Sequence, residues 1–246
     1  MAFGGEMFRA LRHRDFRLYA GGMAVSLAGT WMQNLAQAWL VYRLTRSEWM
    51  LGLTWFCASV PVLILSPIAG AVADRFPRRR IVMVTQAVAM LQAATLAGLT
   101  LTGRVEIWHV LALAAVLGVS NAFDIPGRQA LFIRLVGRDD LLNAISLNSA
   151  IFNMARIVGP SVGGLIVART GEGMCFLLNA VTYVAVLGSL AAMRVNEEMP
   201  KATQSGLEGL KSGIGYVWRM PEVRAVLVLC GMISIATSPG PTLAPV

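Results

Sequence analysis

Long uncharged apolar runs alternate along this chain with short stretches dense in arginine. Residues 49–73 carry no charge, and neither do residues 81–103. Crossing the hydrocarbon layer of a bilayer takes about 20 apolar residues in a helix. The pattern predicts membrane spans over 16–42, 50–73, 81–102, 107–127, 143–168, 173–193 and 224–246. The first run is too long for a signal peptide's apolar core, and no convincing small-residue cleavage site follows it. It is therefore expected to be retained as a helix. Between the sixth and seventh spans, Leu207, Leu210, Ile214 and Trp218 recur at helical spacing, with Glu208, Lys211 and Arg219 off that face. This predicts an amphipathic helix on the membrane surface. Three units result: an all-α six-helix bundle over 1–193, an amphipathic linker over 194–223, and an incomplete seventh span over 224–246.

Charge sets the orientation. Arg9, Arg12, Arg14 and Arg17 precede the first span, and Arg75, Arg78, Arg79 and Arg80 follow the second. Arg128, Arg134 and Arg138 follow the fourth, and Arg194, Lys201, Lys211, Arg219 and Arg224 follow the sixth. Only Arg43, Arg46, Arg104 and Arg169 fall on the opposite side. The heavily basic side is expected to be cytoplasmic, with the N-terminus inside. Composition agrees: 56% of residues are hydrophobic and only 14% charged, where an ordinary soluble domain carries about a quarter. The net charge of +8 does not point to nucleic acid, because the basic residues form no continuous face. Cys57, Cys175 and Cys230 lie in apolar runs and form no C-x-x-C pair, so neither a disulfide framework nor a metal site is expected. His13 and His109 stand alone near span ends and read as interfacial residues.

Polar side chains inside the spans are the candidate functional groups. Span 1 carries Ser26, Thr30, Gln33 and Gln37 on one helix face, with Asn34 beside it. They either line a wet substrate path or bond to neighbouring helices, at about 0.6 kcal/mol per bond. Span 5 carries Ser149, Asn153 and Arg156 at spacings of four and three. A charge at mid-membrane is costly, so Arg156 should face inward and have a partner. Asp124 is the nearest candidate. Arg156 and Asp124 then form a switchable pair or a permanent ion pair; otherwise Arg156 meets an anionic group of the substrate. Farther along, Ala155, Gly159, Gly163 and Gly164 allow close helix approach, and Pro160 tends to kink the helix. Gly159-Pro160-Ser161-Val162-Gly163 matches the serine-hydrolase G-x-S-x-G pattern. It lies inside an apolar helix with no later histidine, so no enzyme is expected.

The connection Gly70-x-x-x-Asp74-Arg75-x-x-Arg78-Arg79 resembles the signature loop between helices 2 and 3 of the major facilitator superfamily of transporters. Gly159-Pro160-x-x-Gly163-Gly164 resembles the end of that superfamily's antiporter motif in helix 5, although Ala155 and Leu147 stand where its upstream glycines would be. Four stretches look like the siderophore- and macrolide-exporter branch, the enterobactin-exporter-like group: Trp39-Leu-Val-Tyr42-x-Leu-Thr45-x-Ser47, Ala122-Phe123-Asp124-x-Pro126-x-Arg128-Gln129, Asn143-Ala144-x-Ser146-x-Asn148-Ser149, and Ala155-Arg156-x-Val158-Gly159-Pro160. The resemblance implies the N-terminal half of a twelve-helix fold in a bacterial inner membrane. It also implies export of small amphipathic compounds, siderophores or drugs, in exchange for protons by alternating access, without a cofactor. Gly70, Asp74, Arg75, Arg78, Arg79 and Arg128 would serve the gate, with Arg75, Arg78 or Arg128 as charge partner of Asp74. The partners implied are the lipid bilayer, a small-molecule substrate, protons, and a missing C-terminal half or partner chain. On this expectation the chain is truncated and does not transport alone. The alternative is a non-transporting membrane module, or a half-transporter that needs a partner. Span 1 lacks the acid that many proton-coupled exporters carry there, leaving Asp124, or a group in the absent half, as the coupling candidate.

Overall fold

The computed structural model describes residues 9–137 and 139–194, together with the isolated positions Met220, Ala225 and Leu229. The predicted amphipathic linker and seventh span otherwise lie outside the described residues. A 3-10 turn at Arg9–Arg12 leads into six helices: α1 (Arg14–Thr45), α2 (Glu48–Arg75), α3 (Arg78–Leu101), α4 (Ile107–Val136), α5 (Leu141–Thr170) and α6 (Glu172–Ala192). Helices α2 to α6 are long and apolar enough to cross a membrane. Helix α1 has the length, but Gln33, Asn34, Gln37 and their polar neighbours lower its hydropathy. Each helix matches a predicted span within a few residues except α4. That helix continues nine residues beyond the predicted end at 127, so Arg128 and Arg134 lie within it and not in a following loop.

The turns follow their local chemistry. Glu106 caps α4: its carboxylate accepts from the third turn residue's backbone, and its own amide donates to His109 Nδ1 at 3.1 Å. The α5–α6 junction turns at Gly171, whose φ of +85° suits a residue without Cβ. One end of the bundle collects the start of α1, the α2–α3 and α4–α5 connections and the end of α6. The other end is tied by Arg43 of α1 to Glu172 of α6, at 2.9 and 3.2 Å.

Helix packing follows a pseudo-twofold pattern. α1 packs on α5 and α6, α4 packs on α2 and α3, and α3 packs on α6. Exchanging α1 with α4, α2 with α5 and α3 with α6 reproduces the same set of neighbours. Because α1 and α4 start at opposite ends of the bundle, the two three-helix units are inverted relative to each other, a recurrent plan in transporters. Glycines set the closest approaches. A Cβ on Gly118 of α4 would strike the Ala58 backbone of α2, and one on Gly159 of α5 would come within 2.6 Å of Ala28 O on α1. Gly22 and Gly29 of α1 do the same against Ser189 and Thr182 of α6. Small residues at such crossings let helices gain dispersion contact where lipid offers no hydrophobic drive.

Gly118→Ala should therefore destabilise the bundle by about 1–3 kcal/mol through overpacking. Gly188→Ala, where a Cβ meets nothing within 4 Å, should be neutral or stabilising. Thermal unfolding of the two variants in detergent checks the contrast; equal behaviour would contradict the packing.

Candidate transport site

Two adjoining spaces lie within the bundle. The larger, about 650 Å³, opens between α1, α2 and α4. Trp31 and Trp55 give it aromatic walls, while Asn34, Gln37, Thr54, Ser59, Ser66 and Asn121 supply polar groups. Among the described residues no charged side chain lines it. Its size and mixed lining suit a small amphipathic molecule. The smaller space, about 110 Å³, is polar and lies among α1, α3, α4 and α6. Ser26, Thr30, Thr85, Gln86, Ser120, Asp124, Arg128 and Tyr183 line it, and it shares Asn34, Leu117 and Asn121 with the cleft. At about 30 Å³ per water, it has room for a few.

Asp124 is the chemical centre of the smaller space. The residue is 2% exposed. One helical turn on, Arg128 Nε donates to its Oδ2 at 2.7 Å. Thr85 Oγ1 and Gln86 Nε2 of α3 donate to Oδ1 at 2.8 and 3.0 Å. Three donors thus converge on one buried carboxylate, and the charged partner offsets the cost of its desolvation. Sequence reasoning expected Asp124 to meet Arg156; the structure corrects this. The i, i+4 spacing places Arg128 directly beside Asp124, whereas Arg156 stands exposed on α5 with its guanidinium 5.6 Å from the Trp31 ring centroid. The same pairing removes Arg128 as a partner for Asp74.

The predicted stripe on α1 divides. Gln33 is 2% exposed and turned away from both spaces: its Nε2 donates to Gln92 Oε1 of α3 at 3.0 Å, and its Oε1 accepts from Asn179 of α6 at 2.7 Å. This is interhelical bonding, so Gln33 is not part of the path lining. Ser26 and Thr30 border the small space, with Thr30 Oγ1 3.3 Å from the Tyr183 hydroxyl. Asn34 borders both spaces and Gln37 borders the cleft. Ser149, Asn153 and Arg156 form an exposed flank of α5 and line neither space. Asn153 Nδ2 donates back to Ser149 O at 2.8 Å. Gly159 and Gly163 face α1 closely, a Cβ added to Gly164 would lie 3.9 Å from Leu35, and Pro160 sits within α5. Ser161 Oγ donates to Ile157 O at 2.8 Å, with no histidine to activate it among the described residues of α5 and α6.

At the basic end the residues of the resembled loop are dispersed. Gly70 faces open space, Asp74 and Arg75 are exposed at the end of α2, and Arg78 opens α3. Asp74 makes no ion pair among the described residues. Arg79 Nη2 donates to Ala191 O at 2.9 Å, placing a cation on the last turn of α6, where the helix dipole is negative. A separate latch joins the N-terminal turn to the α4–α5 connection. Arg9 Nε and His13 Nε2 lie 3.1 and 2.9 Å from the Asp140 carboxylate, and the Ala10 amide donates to Asn143 Oδ1 at 2.9 Å. The His13 hydrogen bond, and then the charge of Arg9, hold the Asp140 carboxyl below its ordinary range. His13 is thus a latch residue and not merely interfacial.

Several site residues were missed from sequence: Trp31, Trp55, Thr85, Gln86, Asn121 and Tyr183. The α3 pair did leave a signal, as Thr85 and Gln86 interrupt an otherwise apolar span. Asn121 stands one turn before Asp124.

A six-helix inverted-repeat bundle with a polar interior fits a transporter, and the match to known sequences decides which kind. Residues 6–246 match the model of the transmembrane secretion effector family. This chain belongs to that family of major facilitator transporters. Its members are transporters and not enzymes. The chain is 32% identical over 161 residues to the staphyloferrin A transporter of Staphylococcus aureus, covering 65% of this chain and 41% of that protein. It is 28% identical over 211 residues to the multidrug efflux pump Tap of Mycolicibacterium fortuitum, covering 82% and 52%. It is 20% identical over 226 residues to the enterobactin exporter EntS of Shigella boydii, covering 92% and 54%. The chain spans about half the length of the curated relatives it matches. With five helices among the described residues able to cross a membrane, it is a multi-pass bacterial membrane protein.

Removing one member of the buried pair leaves the other charge uncompensated. Arg128→Ala should cost about 3–5 kcal/mol of stability, and Asp124→Asn with Arg128→Gln should recover much of it. A double-mutant cycle on Asp124 and Arg156 should instead show coupling near zero; substantial coupling would overturn the assigned partner. The latch has its own pH signature. A depressed carboxyl pKa contributes stability that is complete above the ordinary carboxylate range and lost as pH falls below it, about pH 4 for Asp. Hydrogen-exchange protection at the Ala10 amide, corrected for intrinsic rate, should fall through that range in the wild type. It should already be absent near neutrality in Asp140→Asn.

Proposed function

We propose that this protein is the N-terminal six-helix half of a secondary active exporter in a bacterial inner membrane. It moves small amphipathic compounds, siderophores or drugs, outward in exchange for protons by alternating access. The observation that carries the reading is the juxtaposition of an uncharged amphipathic cleft with a polar space built around a buried acid, in a member of a transporter family. The cleft takes the substrate. Asp124 takes the proton: protonation removes the charge that holds Arg128 and frees the guanidinium to move, as intramembrane acids do in proton relays. Asn34 and Asn121, on the wall common to both spaces, connect the two events. The concentration of arginine at one end of the bundle supports a cytoplasmic placement of that end and of the N-terminus. The arginines around Asp74 serve the gate on that side.

The six helices present one half of a cavity wall. On this reading the segment 194–223 is a cytoplasmic linker, and transport needs a second half, continuous with this chain or separately encoded. The test is proton movement in liposomes holding the native transporter, whole or assembled with its partner. Adding a transported compound should release an imposed pH gradient, and Asp124→Asn should abolish that release while leaving compound binding intact. Proton movement unchanged by Asp124→Asn would remove Asp124 from coupling. Transport by the 246-residue chain alone would remove the need for a second half.

A further inference from the structure

Among the described residues Arg156 is an intramembrane cation with no counter-ion. It lies halfway along α5, about 22 Å from either end at 1.5 Å per residue. Among the described residues no carboxylate lies within salt-bridge distance of it; Asp124 is taken by Arg128 and Glu172 by Arg43. Its guanidinium lies over the face of Trp31, 5.6 Å from the ring centroid. An unpaired guanidinium at this depth is costly, and a cation–π contact offsets only part of that cost.

Trp31 links this cation to the cleft. It lines the cleft of α1, α2 and α4, and its ring is held edge-on by Phe152 of α5 at 5.6 Å. Arg156 shares its flank of α5 with Ser149 and Asn153, all exposed, while exposed Met154, Val158, Val162 and Leu165 occupy the opposite flank. The apolar flank suits lipid; a guanidinium on the other does not. Among the described residues the cleft holds no acid that could neutralise a cationic ligand.

We infer that Arg156, held on Trp31, is the charge-selecting residue of the cleft, and that the cleft prefers aromatic or amphipathic carboxylates over lipophilic cations. The ligand's apolar body lies against Trp31 and Trp55, amides such as Asn34 meet its polar substituents, and its carboxylate accepts from the Arg156 guanidinium. This rests on the exporter reading, because it takes the cleft as a ligand site. Arg156 discriminates between ligands and has no part in the exchange of protons at Asp124.

The experiment measures equilibrium binding to the full chain in lipid nanodiscs, with empty discs as background. Three probes share one aromatic body and differ in charge: 1-naphthoate, 1-naphthamide and 1-naphthylmethylammonium. Naphthoate should bind about tenfold more tightly than the ammonium probe, the size of one charge-assisted hydrogen bond. Arg156→Gln should erase that preference with little effect on the neutral probe. Arg156→Lys should keep part of it, having the charge without the planar fork. Equal binding of all three probes to the wild type, or a preference unchanged by Arg156→Gln, overturns charge selection and leaves the cleft as an unselective site. Binding of none of them overturns the cleft as a ligand site, and the exporter reading's substrate path with it.

Discussion

A polar group inside the hydrocarbon layer of a membrane has only protein to bond to. That constraint organises this bundle more than hydrophobic burial does, because lipid tails are as apolar as the side chains that face them. Gln33 cannot be left in lipid, so it draws α3 and α6 onto α1 through Gln92 and Asn179. Asp124 draws α3 onto α4 through Thr85 and Gln86, and Ser120 adds a bond from α4 to Thr85 O at 2.8 Å. α3 is thus fixed on two sides by hydrogen bonds, and its buried share is the largest of the five apolar helices.

The remaining helices are held differently. α2 and α5, equivalent under the pseudo-twofold relation, are the least buried of the apolar helices. Each attaches mainly to one neighbour, α4 or α1, through a crossing tight enough to exclude a Cβ. The glycine lies on α4 in one crossing and on α5 in the other, so the symmetry is one of packing and not of residue placement. Dispersion at a glycine crossing tolerates small rotation better than directional bonds do. The fold therefore combines a hydrogen-bonded core of α1, α3, α4 and α6 with two less buried flanking helices.

The helices and their order were legible in the sequence because each is written as an apolar run bounded by charge. The α4 boundary was misjudged for a physical reason. Arg128 looks like the end of a span, but a buried acid one turn earlier keeps it inside. The identity of Asp124's partner was hidden because depth along the chain does not reveal the rotation of one helix about its neighbour. A contact within one helix wins whenever i, i+4 spacing supplies it. Gln33 shows the same limit: its stripe was visible, but only the packing of α3 and α6 shows that it points away from the cleft. Trp31 and Trp55 carried no signal, since an aromatic residue in an apolar span is ordinary.

The two intramembrane arginines divide the electrostatic work. Arg128 is neutralised within the protein, so it adds no net charge to the small space while Asp124 is ionised. On the proposed reading, a proton on Asp124 creates an unpaired cation where none existed. That cation must be rehydrated or must find another acceptor, and the polar groups that act on it besides Asp124 are the hydroxyls of Tyr19 and Tyr183. Among the described residues Arg156 has no such internal partner, so on the same reading its charge is present in every protonation state of the site. A ligand selected by Arg156 therefore meets a constant attraction at α5, while the proton alters only the opposite wall. Separating recognition from coupling in this way lets the affinity for the compound change between states without altering which compound is chosen.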